Sequence, residues 1–419
     1  MISLTVYVSG VKDDIMAIRS GVDLVYNKRI ERILQQKRDS FYRRMFTREE
    51  IMYLEGKNHS TLTVAGIFAA KEAVSKVLGT GIGIVSWKDI IIGHEIHGRP
   101  YLVINPVLGK FMNKLGISNI DISISNEEEY TMAIAIGEVG KVYQVPDNMT
   151  LRLPKRPLES HKGSYGRIGV IGGSQGMLGA VYLATYGALR SGAGLVHAIL
   201  EKDLARDFGL KVIEVMVKEA SDLYGYRLAQ EGLDSLVLGP GFGLGYKQKN
   251  LIEDCLLNFE KPLVLDADGL NILSDNPTII RHRKGKTIVT PHPGEMGRLL
   301  KLTTQDIQND REGAAKKFAQ TYGVITVLKG HNTIVTDGER VYTNKSGNPG
   351  MATAGTGDIL SGVVGTFLAQ VEDPFDAAVL AVYVHGLAGD MARDEKGEYG
   401  MIASDIIDAL PKAVSLIVQ

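Results

Sequence analysis

Short apolar runs dominate the second half of the chain, and each stops at a glycine, a proline or a polar residue: RIGVIGG, DSLVLGPG, PLVLDADG, TIVTPHPG and VITVLKG. Helical stretches separate them. Runs of this length read as strands buried on both faces. Their alternation with helices predicts a largely parallel sheet, with ligand groups gathered at the carboxyl ends of the strands. The first half follows another pattern: strand, long helix, hairpin, hairpin. The stretch 140–160 carries Pro146, Pro154 and Pro157 and keeps no helical or strand period. We therefore place a first domain at 1–139, a linker at 140–148 and a second domain at 149–419. No convincing repeat or low-complexity tract interrupts either half.

Composition agrees with two domains, since 419 residues exceed one ordinary core. With 47 Lys and Arg against 48 Asp and Glu, the chain gives no electrostatic reason to expect nucleic acid or an anionic membrane as partner. No uninterrupted apolar stretch matches a bilayer span, and the opening MISLTVYVSGVKDDI lacks a basic region before its apolar residues. A soluble protein is expected. The single cysteine, Cys255, reads as a small buried apolar group, which suits a reducing cytoplasm.

The densest chemistry lies in NPGMATAGTGDILSG, residues 348–362. Gly355, Thr356 and Gly357 let backbone N–H groups approach an anion at a helix N-terminus, and Asp358 stands beside them as either a base or a helix cap. The run from Gly172 to Val196 would let a ligand lie against the backbone near Gly179 and Ala180, but its glycines at 173, 176 and 179 do not form the G-x-G-x-x-G dinucleotide fingerprint. GPGFG, Gly239–Gly243, is a narrow loop or a plain tight turn. Asp266 and Asp268 end a strand, where each binds a ligand or a metal or caps the next helix. His292, held between two prolines, suits a ligand contact, and Glu295 opens a helix. Lys329 ends another strand, where an ammonium could meet phosphate or simply mark the strand's solvated end.

In order and spacing, HKGSYGRIGVIGGSQGMLGA, LDADGLNIL, TPHPGEMGRLL, VLKGHNT and NPGMATAGTGDILSG resemble the ADP/ATP-dependent NAD(P)H-hydrate dehydratases of the ribokinase-like superfamily, over essentially all of 149–419. The resemblance implies a ribokinase-like α/β domain with a mostly parallel sheet and helices on both faces. It implies that Ala180, Gly243, His292 and Asp358 contact the S epimer of hydrated NADH or NADPH. Lys329, Gly330, His331, Asn332 and Thr333, with Gly357, would form the nucleotide site. Asp358 would be the catalytic base, with an anion hole from Gly355, Thr356 and Gly357, and ADP (or ATP) the phosphoryl donor. A separate hydrate epimerase would serve the other epimer, since no epimerase domain is recognisable here. The alternative is a small-alcohol kinase of the same fold.

In the first half, GVDLVYNKRIERIL puts Asp23 inside an apolar run, where a cation should meet it. FAAKEAVSKVLGTGIG offers Glu72 with Lys71 and Lys76 nearby and a Gly79-Thr80-Gly81 exit. Asp23 and Glu72 could hold Mg²⁺ while the lysines and glycine loop hold a diphosphate; an i,i+4 Glu72–Lys76 pair on a solvated face is the alternative. GVDLV, FYRRMFTREE, FAAKEAVSKVLGTGIG, SWKDI, HGRPYL and SISNEEEYTMAIAI resemble the holo-[acyl-carrier-protein] synthases, which implies a smaller α+β domain that transfers 4′-phosphopantetheine from coenzyme A to a serine of an acyl carrier protein. By that resemblance Asp23 and Glu72 hold the metal, Lys71 and Lys76 bind coenzyme A phosphates, and Arg43 and Arg44 meet the acidic carrier. Two positions depart from the pattern, Ile67 where an arginine is usual and Asn126 where many relatives have histidine. Trimers are common in that family, so a homo-oligomer is expected, either as an active transferase or as a non-catalytic oligomerisation or carrier-binding module.

Overall fold

A computed structural model of the chain describes residues 4–7, 17–79, 85–140, 143, 145–146 and 149–418. Two compact units make up the chain, Met1–Gln144 and Val145–Gln419.

In the first unit, an antiparallel sheet runs in the spatial order Leu4–Tyr7, Ala17–Tyr26, Tyr130–Val139, Ile117–Asn126. The helix Thr61–Leu78 packs on one face of it. Two glycines set how close it comes. A Cβ at Gly21 would lie 2.1 Å from the Ala73 carbonyl, and one at Gly137 would lie 2.6 Å from Val77. The two-residue period does the rest. Ala133 and Ala135 turn to the helix and are fully buried, while Val22, Leu24, Tyr26, Tyr130, Met132 and Ile136 stay exposed. Both hairpins expected from the sequence are present, Ile91–His94 with Pro100–Val103 and Ile117–Asn126 with Tyr130–Val139. Between them lies a helix the pattern reading passed over, Pro106–Leu115, capped by the Asn105 side chain on the amides of Val107 and Leu108.

The second unit carries the mostly parallel sheet. Its nine strands run in the order Met216–Glu219, Leu195–Leu200, Arg167–Ile171, Ser235–Leu238, Leu263–Leu265, Thr287–Val289, Ile325–Leu328, Ile334–Thr336, Val341–Thr343. The first seven are parallel and the last two antiparallel. Arg167–Ile171 starts in the middle, the chain winds outward on one side, then returns at Ser235–Leu238 to wind outward on the other. The reversal opens a crevice at the carboxyl ends of those two strands, the usual ligand position in such sheets.

Helices cover both faces. Ile171, Leu238, Leu265, Val289 and Leu328 join one core with Leu251, Leu256, Leu270, Met296 and Phe318. On the other face the helix Thr356–Gln370 lies directly on the sheet, since a Cβ at Gly365 would meet Val237 at 2.6 Å. It also meets the helix Leu178–Arg190 backbone to backbone. A Cβ at Gly362 would stand 2.0 Å from the Ala184 carbonyl, and one at Gly187 would stand 2.6 Å from the Ile359 carbonyl. The helix Pro374–Lys396 is long and apolar enough to cross a membrane by length and composition, but Asp376 and Asp390 interrupt it and 89% of its apolar window is buried inside the fold. Cys255 is buried as expected, and burial pushes its thiol up to about 12.

Gly362→Ala should lower stability by about 1–3 kcal/mol, because neither backbone can yield without moving a whole helix. The urea midpoint of the purified chain measures this; an unchanged midpoint would show that the helices can separate freely.

Candidate functional site

At the carboxyl edge of the second sheet, glycine turns are stacked so closely that side chains would not fit. A Cβ at Gly172 would meet the Pro240 carbonyl at 2.2 Å, and one at Gly239 would meet the Asp266 carbonyl at 2.0 Å. Gly173 N–H donates to Pro240 O at 2.9 Å, and the Ser174 hydroxyl donates to Gly241 O at 2.9 Å. Asp268 joins the next turn, its Oδ2 accepting the Gly243 N–H at 2.7 Å. Between the two aspartates Ala267 sits at φ 47°, ψ −119°. This backbone conformation costs a residue with a Cβ on the order of 1–3 kcal/mol. The twist sends the two aspartates to different partners, Asp268 to the GPGFG loop and Asp266 to Lys329.

The Lys329 ammonium lies 2.7 Å from Asp266 Oδ1. Asp266 is 1% exposed, and its Oδ2 is buried without a hydrogen-bond partner. Burial pulls Lys329 down, but the carboxylates of Asp266 and Glu295 outweigh it and hold the ammonium charged. A Cβ on Gly357 would fall 3.2 Å from the same ammonium, so Lys329 reaches the first turn of the helix Thr356–Gln370. That helix begins at Gly355, φ 93°, and its first internal bond is Ile359 N–H to Gly355 O. The amides of Thr356, Gly357 and Asp358 therefore have no acceptor within the helix. The Thr356 hydroxyl donates back to Met351 O at 2.8 Å, which leaves its amide as its contribution to the turn. Upstream, Asp390 accepts from Gly347 N–H at 2.9 Å and Asn348 Nδ2 at 3.1 Å, pinning the loop to the helix behind it.

Asp358 caps nothing: the helix has no side-chain cap. Burial pushes its carboxyl up to about 7, with further upward pressure from Asp266 and Asp268 and a downward pull from Lys329. Glu295 is likewise raised, first by burial and then by Asp266. Beneath the turn His385 is 7% exposed, with Nε2 unpartnered; burial holds it neutral, down to about 4.

His292 has the opposite outcome from Asp358. Its Nδ1 accepts from Gly294 N–H at 3.0 Å and Glu295 N–H at 3.4 Å, while its own N–H donates to Glu295 Oε2 at 2.7 Å. This is a capping box built on an imidazole. The rest of the ring is half exposed, and burial with the nearby Lys329 lowers its proton affinity. From Lys329 to Thr333 the chain makes a tight loop, Gly330 at φ 135° and Asn332 at φ 55°. Arg311 pins it through the Leu328 and Lys329 carbonyls at 3.1 and 3.3 Å.

In the first unit, Asp23 does meet a cation. Lys76 Nζ lies 2.8 Å from Asp23 Oδ1 and also donates to the Val22 carbonyl. Burial, then the neighbouring Asp23, raises the Glu72 carboxyl. Both carboxylates line a pocket of about 540 Å³ together with Arg29, Arg44, Phe41, Phe68, Trp87 and Tyr130. Lys71 is elsewhere. It is fully buried, with its three protons taken by Glu50 Oε2 at 2.8 Å, Trp87 O at 2.8 Å and Ile90 O at 2.6 Å. Ile67 is 1% exposed in the same core, and Asn126 accepts from the Thr131 hydroxyl at 3.0 Å. No group of three or more His, Cys, Asp or Glu able to hold a metal occurs among the described residues.

The profile of the NAD(P)H-hydrate dehydratases matches residues 168–412, more than half of the chain and all of the strand ends described above. The chain belongs to the NAD(P)H-hydrate dehydratase family. Residues 19–135 match the 4′-phosphopantetheinyl transferase superfamily. The bifunctional NAD(P)H-hydrate repair enzyme Nnr of Moorella thermoacetica is 39% identical over 272 residues, covering 62% of this chain and 51% of that protein. An ADP-dependent (S)-NAD(P)H-hydrate dehydratase of Neisseria meningitidis is 38% identical, covering 61% of this chain and 86% of the relative. The crystal structure of the ADP/ATP-dependent NAD(P)H-hydrate dehydratase of Bacillus subtilis, co-crystallised with ATP and Mg²⁺, superposes with a TM-score of 0.55 at 29% identity, covering 63% of this chain and 98% of that one. The chain spans about half the length of the bifunctional repair enzymes it matches.

Within the second unit, most of the residues expected from sequence converge. Gly355, Thr356, Gly357 and Asp358 form one turn, Lys329 touches it, and Gly243 is tied to Asp268, which acts on Asp358 electrostatically. Ala180 opens the helix beside the GPGFG loop, since a Cβ at Gly241 would stand 3.0 Å from its methyl. Asp266 reads in the sequence as a ligand, a metal contact or a cap and is instead the partner of Lys329, Glu295 reads only as a helix start, and His385 is marked by no motif. Lys71 requires a correction. Its ammonium neutralises Glu50 in the core and has no proton left for a coenzyme A phosphate. Nor do Glu72 and Lys76 form the exposed i,i+4 pair, because Lys76 turns to Asp23. Thr80 and Gly81 of the proposed glycine exit lie outside the described residues.

Lys71→Ala, which leaves the Glu50 carboxylate buried without its cation, should destabilise the first unit by about 3–5 kcal/mol. Trp87, the only tryptophan, reports that unit's unfolding in urea; a midpoint within error of the parent would place Lys71 at a solvated site instead.

Proposed function

We propose that the second unit dehydrates the S epimer of hydrated NADH or NADPH with ADP as phosphoryl donor, and that Asp358 is the base. The observation that carries this reading is a partly desolvated carboxyl raised to about 7, placed in the first turn of a glycine-led helix beside the Lys329–Asp266 pair. At neutral pH it accepts a proton readily, whereas an ordinary aspartate is too weak a base. Ala180, Gly243 and His292 hold the hydrated nicotinamide nucleotide, and Lys329 to Thr333 with Gly357 hold the adenine nucleotide.

The substrate's ring hydroxyl gives its proton to Asp358 as its oxygen attacks the terminal phosphorus of ADP. The phosphoanhydride bond breaks and AMP leaves. Free amides of the Gly355–Gly357 turn and the Lys329 ammonium stabilise charge gathering on the transferred phosphoryl oxygens. Phosphate leaves carbon far more easily than hydroxide does. Its departure with a ring proton restores the dihydropyridine, so the products are NAD(P)H, phosphate and AMP. ATP would give ADP by the same route. The other epimer calls for a separate epimerase.

We further propose that the first unit transfers 4′-phosphopantetheine from coenzyme A to a carrier-protein serine. Asp23 and Glu72 fit a Mg²⁺ ion: two carboxylates on facing elements, one of them raised by burial and by the other's charge, present hard oxygens with room for diphosphate oxygens. Bound there, the ion would polarise the diphosphate of coenzyme A. With Lys71 in the core, Lys76, Arg29 and Arg44 are the cations left at the pocket for phosphates, and exposed Arg43 faces solvent where an acidic carrier would dock. A second reading, a non-catalytic assembly module, is favoured by the apolar sheet face of Val22, Leu24, Met132 and Ile136, which suits a homo-oligomer, and by Ile67 replacing a cation. Both readings place the protein in the cytoplasm.

Asp358→Asn should reduce ADP-dependent recovery of NADH from its hydrate by at least about 10²–10⁴-fold while ADP still binds. In the parent, kcat/KM should rise with pH through about 7 as Asp358 loses its proton. Parent-like turnover by the variant, or a profile flat from pH 5.5 to 8.5, would remove Asp358 from the base's role. For the first unit, apo carrier protein incubated with coenzyme A and Mg²⁺ should gain the phosphopantetheine mass, and Glu72→Gln should abolish that gain. An unmodified carrier with the parent would leave the assembly module as the function.

A further inference from the structure

One cavity along the carboxyl edge of the second sheet is not used by the chemistry above. It has a volume of about 220 Å³ and is walled by Leu223, Tyr226, Phe242 and Leu251, with Glu201 and Lys247 at its polar side. Phe242 immediately precedes Gly243, so the cavity begins where the GPGFG loop ends. Glu201 is the first residue beyond the strand Leu195–Leu200, the neighbour of Arg167–Ile171 on the side away from Lys329. Its carboxylate caps no amide of the helix that follows. Tyr226 is buried, and burial followed by the charge of Glu201 raises its phenol, which puts the two groups within electrostatic reach.

A dinucleotide substrate has two ends. If the nicotinamide ring lies at Asp358, the phosphoryl donor occupies the Lys329 side, and the second half must leave in the other direction. That direction crosses the loop after Arg167–Ile171, where Gly176 and Gly179 are exposed and a Cβ at either would meet open space. From the strand of Asp266 to the strand of Glu201 there are three strand spacings, roughly 14 Å, a span an extended dinucleotide covers. In doubly wound sheets, an acid at the end of the second strand is placed to accept hydrogen bonds from ribose hydroxyls, after a glycine turn at the end of the first. Arg167–Ile171 with Gly172–Gly173, followed by Leu195–Leu200 with Glu201, has this arrangement even though the G-x-G-x-x-G spacing is absent.

We infer that this cavity receives the adenosine half of the hydrated dinucleotide, with Glu201 accepting from its ribose hydroxyls, so that a ribose bearing a 2′-phosphate is disfavoured. The inference rests on the dehydratase reading of the second unit. The apolar wall takes the adenine ring, and Lys247 stays at the rim. Hydrated NADH is then the better substrate of the pair.

The full-length enzyme with ADP should be assayed on three substrates: hydrated NADH, hydrated NADPH and hydrated reduced nicotinamide mononucleotide, which lacks the adenosine half. The parent should favour hydrated NADH over hydrated NADPH in kcat/KM. Glu201→Gln should shrink that preference about tenfold, through KM rather than kcat. Leu223→Trp, which fills the cavity, should lower the ratio of kcat/KM for hydrated NADH to that for the mononucleotide by about tenfold. If both ratios stay at parent values in both variants, or if the parent favours hydrated NADPH, the adenosine half lies elsewhere and the dehydratase reading stands. If the parent consumes none of the three, that reading falls and the subsite with it.

Discussion

The ion pair between Lys329 and Asp266 is the constraint on which the second unit's site depends. Burial alone would pull the Lys329 ammonium down, and the carboxylates of Asp266 and Glu295 more than offset that pull. Paired at 2.7 Å, Lys329 and Asp266 bring a fixed positive charge against the bare turn at Gly357. Further carboxyls then crowd around one cation. Glu295 and Asp358 are both buried in that volume, and burial first, then the charge of Asp266, raises their proton affinity. A carboxyl poised near neutrality is thus a consequence of burial beside other acids with a single cation among them.

Such a cluster needs a rigid frame. Gly362 and Gly187 let two helices touch through their backbones, and Gly365 seats one of them on the sheet, so the first turn at Gly355 cannot drift. The strained Ala267 makes the complementary contribution from the sheet side, turning adjacent aspartates toward different partners. Small residues thus do two jobs in this unit, close packing below the site and open backbone within it.

Much of this was legible in the sequence. Apolar runs ending in glycine or an acid mark buried parallel strands and their functional ends, and the switch in pattern marks two units. Asp358, Lys329 and the glycine turn were readable because their chemistry is local to a motif. Partnerships were harder to see. Lys71 and Lys76 are five residues apart on one helix, yet one turns into the core toward Glu50 and the other out toward Asp23, a difference set by tertiary packing rather than by residue type. His292 reads as a ligand contact, and the structure shows it as a helix cap, because an imidazole can mimic the short acceptors usual at that position. His385 comes from the middle of an apolar helix, where the sequence gives no sign that it lies under the Gly355–Gly357 turn.

The most direct measurement is the stability of Asp358→Asn relative to the parent as a function of pH. An acid whose folded pKa is raised from 3.8 to about 7 contributes stability below pH 4 that is lost as pH climbs through 7. Asparagine carries no such penalty. The variant should therefore be more stable than the parent at pH 8, on the order of 4 kcal/mol, with the advantage shrinking steadily as pH falls toward 4. A difference between the two proteins that does not change from pH 4 to pH 8 would mean that Asp358 ionises like a solvated aspartate, and the site would have no base tuned for neutral pH.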